Sequence, residues 1–223
     1  FIFTKSKTGT ISDNTITSGK DKGIAINSVK CKMTISGNTI KKCKAYPIYC
    51  NPASTSYAIT LKKNIITGNS KKIDGIRADS GKLILSSNTI SSCSRAIILS
   101  SKVKGTVYPN TFKKNTYNNV KVNSSYVNTL TVKSLSGKSK SAKTATLNWK
   151  KLSSASGYVV YRSASKNGSY TKISTIKKNK TITYKDSKLK RKSTYYYKIV
   201  PYTTIGKTTV YGLDSKIVSI KIK

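Results

Sequence analysis

The chain has 223 residues and carries 43 Lys and Arg against six Asp, with no Glu and no His, which gives a formal net charge of +37. Without histidine, Ser-His-Asp and Cys-His mechanisms are excluded, and no apolar run approaches the roughly 18 residues that a membrane span requires. The charge predicts attraction to polyanions, such as acidic polysaccharides, cell-wall polymers or nucleic acid. The sequence starts at Phe1 without an initiator methionine or a signal peptide, which we interpret as a processed or truncated product.

The first part of the chain is repetitive. Five segments share an apolar-x-x-Asn-x-apolar core, and a second short apolar segment follows each of them. One coil of short strands per repeat, with coils stacked about 4.8 Å apart, would align equivalent residues in ladders. Asparagine suits the corner of such a coil because it tolerates left-handed backbone and can bond to the amide of the next coil. We therefore predict a structural role for Asn14, Asn38, Asn64, Asn88 and Asn110.

These segments resemble the parallel β-helix repeats of the pectin-lyase-like superfamily over roughly residues 1–125. The resemblance implies a short right-handed parallel β-helix of about five coils. A leucine-rich repeat has a similar period but needs a denser leucine pattern and a helical segment. A first coil that begins at Phe1 would expose a strand edge, so we expect end-to-end association unless that edge is capped.

Four cysteines lie in the repeat region, without CxxC spacing. Cys43 and Cys93 each follow a motif asparagine by five residues, two coils apart. The resulting separation of roughly 9–10 Å is beyond the reach of a disulfide, so both are predicted to be free thiols. The state of Cys31 and Cys50 stays open.

From about residue 128 the pattern changes to short alternating strands separated by turns, which predicts an antiparallel β-sandwich over residues 128–223 and an all-β chain. Trp149, Tyr184 to Asp186, Leu189 and Tyr195 resemble the pattern of bacterial fibronectin type III domains. The resemblance implies that Trp149 is a core residue. It also implies that Tyr195 forms a tyrosine corner, in which its hydroxyl bonds to upstream backbone.

Catalytic candidates are few because every carboxylate must come from aspartate. Asp74, Arg77 and Asp79 are the one group close in sequence within the repeats. In a lyase, Arg77 would abstract a proton beside Asp74 and Asp79 as calcium ligands. Alternatively Arg77 and Asp79, two apart on a strand, form a surface ion pair, which is the interpretation we favour. No cofactor or metal is predicted, and Ca²⁺ is expected only if the lyase interpretation holds.

Three functions follow. The favoured one is a non-catalytic segment of a secreted or cell-surface bacterial protein that acts as a scaffold or binds glycans and polyanions, including acidic polysaccharide and cell-wall polymers. The second is a C-terminal fragment of a polysaccharide lyase or glycoside hydrolase. The third is nucleic-acid binding, which would be non-specific and salt-dependent, because lysine dominates here and base readout favours arginine.

Overall fold

The computed structural model describes residues 8–27, 31–52, 54–69 and 72–223. Within these ranges the regular structure is β-strand throughout, and no helix is long and apolar enough to cross a membrane. Phe1 and the strand edge expected there lie outside the described residues, so end-to-end association stays a prediction. The chain divides into two compact units, Phe1–Asn128 with Thr204–Val210 and Thr129–Thr203 with Tyr211–Lys223. The sequence pattern did not indicate that Thr204–Val210 groups with the first unit.

The first unit is a coil of three short strands that repeats five times and is followed by a final short strand. These strands are β1 (Thr8–Ser12), β2 (Thr15–Thr17), β3 (Ile24–Asn27), β4 (Lys32–Ser36), β5 (Thr39–Lys41), β6 (Ile48–Asn51), β7 (Ala58–Lys62), β8 (Ile65–Thr67), β9 (Ile76–Ala78), β10 (Gly81–Ser86), β11 (Thr89–Ser91), β12 (Arg95–Leu99), β13 (Val103–Val107), β14 (Thr111–Lys113), β15 (Tyr117–Val122) and β16 (Ser125–Val127).

Equivalent strands of successive coils pair in parallel and form three sheets. The first sheet runs β1-β4-β7-β10-β13, the second β2-β5-β8-β11-β14 and the third β3-β6-β9-β12-β15. The antiparallel strand β16 ends the third sheet. Within the same unit, Thr209 and Val210 pair in parallel with Thr106 and Val107 of β13. This arrangement is a parallel β-helix, which confirms the predicted fold class for the repeats.

Ladders of aliphatic side chains fill the interior of the coils. In the first sheet Ile35, Leu61 and Leu85 are paired in register, and all three are fully buried. Side chains alternate between the two faces of a strand, so the neighbours of these residues point outward. A single coil buries little by itself, and the apolar core exists only because equivalent residues stack.

A ladder of asparagine side chains joins the coils between the first and second sheets. The Nδ2 of Asn38 donates to Asn64 Oδ1 at 3.0 Å and to the Ile11 carbonyl at 2.9 Å, and the Asn38 backbone N–H donates to the same Asn64 Oδ1 at 3.1 Å. Equivalent amide contacts link Asn14 to Asn38, Asn64 to Asn88 and Asn88 to Asn110 at 2.9–3.0 Å. The three inner asparagines are fully buried. Their amides therefore satisfy one another in a setting where an unpaired polar group is costly.

The expected left-handed backbone at these asparagines was wrong. At four of the five asparagines, all except Asn110, the left-handed residue is the one before, as at Gly37 (φ 68°), Lys63 (φ 56°) and Ser87 (φ 56°). That residue turns the chain, so the side chain that follows points into the coil. The amide at this position is required for its hydrogen bonds and not for its backbone preference.

All four cysteines are buried and free. This confirms the predicted free thiols at Cys43 and Cys93, and it assigns the same state to Cys31 and Cys50.

The remaining strands are β17 (Ser136–Lys138), β18 (Ala145–Asn148), β19 (Gly157–Ser163), β20 (Thr171–Ile176), β21 (Thr183–Asp186), β22 (Thr194–Ile205), β23 (Thr208–Tyr211) and β24 (Val218–Lys221). In the second unit, β17, β18 and β21 form one antiparallel sheet. In the other sheet, β22 pairs with both β19 and β24, and β20 pairs with β19. The result is the antiparallel sandwich that the sequence predicts.

The core of the sandwich contains Trp149, whose ring meets the edge of Tyr158 at a centroid distance of 5.3 Å. Tyr195 packs against this core, and its Oη accepts a hydrogen bond from the Lys190 backbone N–H at 3.2 Å. A tyrosine hydroxyl bonded to backbone a few residues upstream has the geometry of a tyrosine corner.

The asparagine ladder predicts a position-dependent loss of stability. Asn64→Ala should lower the free energy of unfolding by about 3 kcal/mol, because the buried Asn38 backbone N–H loses its acceptor and the Asn38 Nδ2 loses one of its acceptors. Asn14→Ala, at the half-exposed end of the ladder, should cost about 1 kcal/mol because no preceding asparagine depends on it. Urea denaturation of both variants measures the difference, and equal losses would contradict the ladder as a stabilising network.

Candidate functional site

The outer face of the third sheet carries a row of large side chains in register, and all but one of them are polar. Tyr49, Arg77, Ile98 and Lys121 are paired across β6, β9, β12 and β15, and Lys121 is paired with Tyr126 of β16. Paired residues of neighbouring strands project to the same side of a sheet. The row therefore crosses four strand spacings, about 19 Å at about 4.8 Å each.

A second row flanks the first, at or just before the start of the third-sheet strand in each coil. Its members are Lys22, Tyr46, Asp74, Arg95 and Tyr117. Side-chain contacts connect the two rows, and we call them together the tyrosine–cation face.

The first half of the tyrosine–cation face consists of Lys22, Tyr46, Tyr49 and Arg77, and both of its cations have close partners. Arg77 Nε donates to Asp79 Oδ1 at 3.0 Å, and the Tyr49 hydroxyl donates to Asp79 Oδ2 at 2.9 Å. The Arg77 guanidinium also lies 5.2 Å from the centroid of the Tyr46 ring, and Tyr46 stacks on Tyr49 at 5.9 Å. Lys22 lies 5.5 Å above the Tyr49 ring. In this half of the face, the aromatic rings and the planar polar groups therefore already contact one another.

The second half is less completely paired. Arg95 Nη1 lies 3.8 Å from Asp74 Oδ1, and both that oxygen and Arg95 Nε are buried without a hydrogen-bond partner. Arg95 lies 5.3 Å from the Tyr117 ring centroid, and Lys121 Nζ lies 5.4 Å from that of Tyr126. Tyr117 and Tyr126 are 46% and 49% exposed, and their ring centroids are 6.3 Å apart.

The three catalytic candidates do not form one cluster. Asp79 pairs with Arg77, as in the surface ion pair that the sequence analysis favoured, whereas Asp74 is 8% exposed and faces Arg95. Burial raises the pKa of Asp74, and Arg95 counteracts this effect. Burial would lower the pKa of Arg77, but the hydrogen bond and charge of Asp79 raise it above its ordinary value. A guanidinium held in its charged form is poorly suited to abstract a proton.

Sequence reasoning did not find most of this face. It singled out Asp74, Arg77 and Asp79 by their proximity in the chain and missed the tyrosines, Arg95 and Lys121. A signal was present, because Tyr49, Arg77, Ile98 and Lys121 each follow a motif asparagine by 10 to 13 residues. Counting from the asparagines would have brought these side chains near one another but would not have fixed their register, because the offset varies from coil to coil.

The architecture is therefore that of a β-solenoid protein with an antiparallel sandwich. The chain belongs to the family described as periplasmic copper-binding protein (NosD), whose model matches residues 1–141. No curated protein matches the chain. The broader likeness to pectin-lyase-like proteins stays a prediction.

The solved structures similar to the chain include several fibronectin type III domains. A Fn3-like protein from Clostridium thermocellum is 30% identical over 41% of this chain and 88% of its own, with a TM-score of 0.35. The chicken CNTN1 FN1-FN3 domains are 17% identical over 47% of this chain and 35% of theirs, with a TM-score of 0.38. The sixth fibronectin type III domain of a human protein is 19% identical over 43% of this chain and 87% of its own, with a TM-score of 0.36.

The copper in the family's description does not fit the donors of this chain. The sequence has no histidine and a single methionine, Met33. Cys31 Sγ lies 3.5 Å from Met33 Sδ, but these two side chains are only 3% and 1% exposed inside the coil. Burial raises the pKa of Cys50 and of Cys93 to about 12, which disfavours the thiolates that bind metal. Across the described ranges, no three His, Cys, Asp or Glu side chains lie together.

We expect no stoichiometric copper binding by this chain, because one buried thiol–thioether pair supplies only two soft ligands. The check is incubation with Cu(I) under reducing conditions and separately with Cu(II), followed by gel filtration and metal analysis. Retention of one copper per chain that is lost in Cys31→Ser, with an unchanged melting temperature, would contradict this expectation.

Proposed function

We propose that this chain is a non-catalytic, glycan-binding segment of a bacterial protein that works outside the cytoplasm, in the periplasm or at the cell surface. The observation that carries the proposal is the register of the tyrosine–cation face, in which Tyr49, Arg77, Lys121 and Tyr126 project from one side of a rigid sheet. The periplasmic description of the family supports the location.

The chemistry of the face suits sugars. A tyrosine ring offers an apolar surface on which a sugar ring can stack, and its hydroxyl is a polar handle. The Arg77 guanidinium and the Asp79 carboxylate are planar groups that can form paired hydrogen bonds with neighbouring hydroxyls. Both are already oriented by contacts with Tyr46 and Tyr49, so little side-chain entropy is lost on binding.

Binding at the tyrosine–cation face differs from general attraction to polyanions, because the charges on the face nearly cancel. Four cations, Lys22, Arg77, Arg95 and Lys121, stand close to three of the six aspartates of the chain, which are Asp21, Asp74 and Asp79. The face is thus almost neutral on a chain of net charge +37. The long-range field of the lysines would draw the protein to acidic polymers, whereas stacking on the face would select the sugar.

Salt distinguishes the two effects. The Debye length is about 8 Å at 0.15 M ionic strength, and attraction between exposed charges weakens as added salt shortens it. Stacking and short hydrogen bonds depend far less on salt. Retention of a glycan at high salt therefore reports the face, and retention that disappears reports the lysines.

The test is binding of the full chain to neutral and acidic polysaccharides at about 150 mM and about 500 mM salt. The Debye length is about 8 Å at the lower concentration and well below that at the higher one. Tyr126→Ala should weaken retention at the higher salt by about five- to ten-fold, because a ring contact contributes about 1 kcal/mol. Tyr108→Ala is the matched control, since Tyr108 is 42% exposed and lies outside the face.

Loss of all binding at high salt, or equal effects of the two tyrosine substitutions, would contradict glycan binding by the face. Shortening of the bound polymer during the assay would contradict the non-catalytic part of the proposal.

A further inference from the structure

The two halves of the tyrosine–cation face differ in how their cations are paired. We infer that the second half, formed by Arg95, Ile98, Tyr117, Lys121 and Tyr126, is a subsite for a sugar residue that carries an acidic group. We call these five residues the Lys121 subsite. The inference rests on the proposed function and names the class of glycan: an acidic one, bound in a fixed position on the face.

The first step is the asymmetry of the ion pairs. In the first half, Lys22 Nζ lies 2.6 Å from Asp21 Oδ2, and Arg77 Nε lies 3.0 Å from Asp79 Oδ1. In the second half, Lys121 forms no ion pair with any residue that the structure describes. The cations of the first half are therefore compensated by aspartates of the protein. The charge of Lys121 is not compensated by an ion pair, so it can interact with a ligand.

The second step concerns Asp74, the one carboxylate near the subsite. Asp74 is 8% exposed; a backbone hydrogen bond from Arg95 reaches its carboxylate, whereas the Arg95 side chain approaches Asp74 Oδ1 only to 3.8 Å. Burial raises the pKa of Asp74, and the charges of Arg95, Arg77 and Lys121 act in the opposite direction. Arg77 is paired with Asp79. The two other cations, Arg95 and Lys121, therefore outnumber the single carboxylate of Asp74.

A contrast with the other buried aspartate supports this view. Asp186, in the second unit, accepts from Arg162 Nη1 at 3.0 Å and from the Tyr197 hydroxyl at 2.9 Å. Its charge is satisfied by close partners, as expected of a structural pair. Asp74 and Arg95 are paired less closely, because their side chains approach only to 3.8 Å, and Asp74 Oδ1 and Arg95 Nε have no hydrogen-bond partner.

The third step is the position of the cations relative to the exposed rings. Lys121 Nζ lies 5.4 Å from the centroid of Tyr126, and the Arg95 guanidinium lies 5.3 Å from that of Tyr117. A sugar ring stacked on either tyrosine would place its substituents within reach of the neighbouring cation. A carboxylate on that sugar would form a charge-assisted hydrogen bond, the stronger kind.

The probes are an oligogalacturonate, its methyl ester and a neutral galactose oligosaccharide of the same length, measured against the full chain by calorimetry at about 150 mM salt. The wild-type chain should bind the acid about ten-fold more tightly than the ester, since a hydrogen bond to a charged group is worth about that factor. Lys121→Gln should bring this preference close to one, because it should weaken binding of the acid far more than binding of the ester.

Lys104→Gln is the matched control, because Lys104 is an exposed lysine on the first sheet and its loss changes the net charge equally. Equal weakening by Lys104→Gln and Lys121→Gln would overturn the inference in favour of general charge attraction. So would equal binding of acid and ester by the wild-type chain, or the same dependence on Lys121 for a single-stranded oligonucleotide.

The outcomes also separate the inference from the proposed function. If the ester and the neutral oligosaccharide bind through Tyr126 without any preference for the acid, the face binds glycans and only the acidic subsite is wrong. If no oligosaccharide binds and Tyr126→Ala has no effect, both proposals are wrong. Unchanged melting temperatures of the variants establish that the fold is intact in each case.

Discussion

The asparagine ladder is the interaction on which the rest of the β-helix depends. Each inner amide bonds to the next coil and to the carbonyl of Ile11, Ile35 or Leu61 in the coil before. These bonds fix the register between coils, because a shift of one residue would leave buried amides unpaired and turn the aliphatic ladders outward. The apolar interior contributes the larger share of stability, but it does not by itself select one register.

The same register creates the candidate site. Side chains at equivalent positions of coils two to five project as one row, so Tyr49, Arg77 and Lys121 meet on one surface although they are far apart in sequence. A rigid stack of strands holds such groups with little loss of entropy on binding. The candidate site is a surface of the sheet and not a cleft. The coil repeat brings one outward-facing residue of each coil into the same row.

The fold was predictable because its determinants are local and repeated. The five asparagines and the alternating apolar residues indicated the coils, and Trp149 with Tyr195 indicated the sandwich. The backbone at the corners was not predictable, because the turn falls on preceding residues as different as Gly37, Lys63 and Ser87. The site was only partly predictable, because pairing of Arg95 with Asp74 and exposure of Tyr126 depend on packing between coils.

Glycan binding by the tyrosine–cation face can be tested by hydrogen–deuterium exchange of the full chain with and without a saturating acidic oligosaccharide at high salt. A glycan bound to this face should add protection in β9, β12, β15 and β16 of the third sheet and leave the first sheet unchanged. Protection confined to the second unit, or spread evenly over the lysine-rich surfaces of both units, would contradict it.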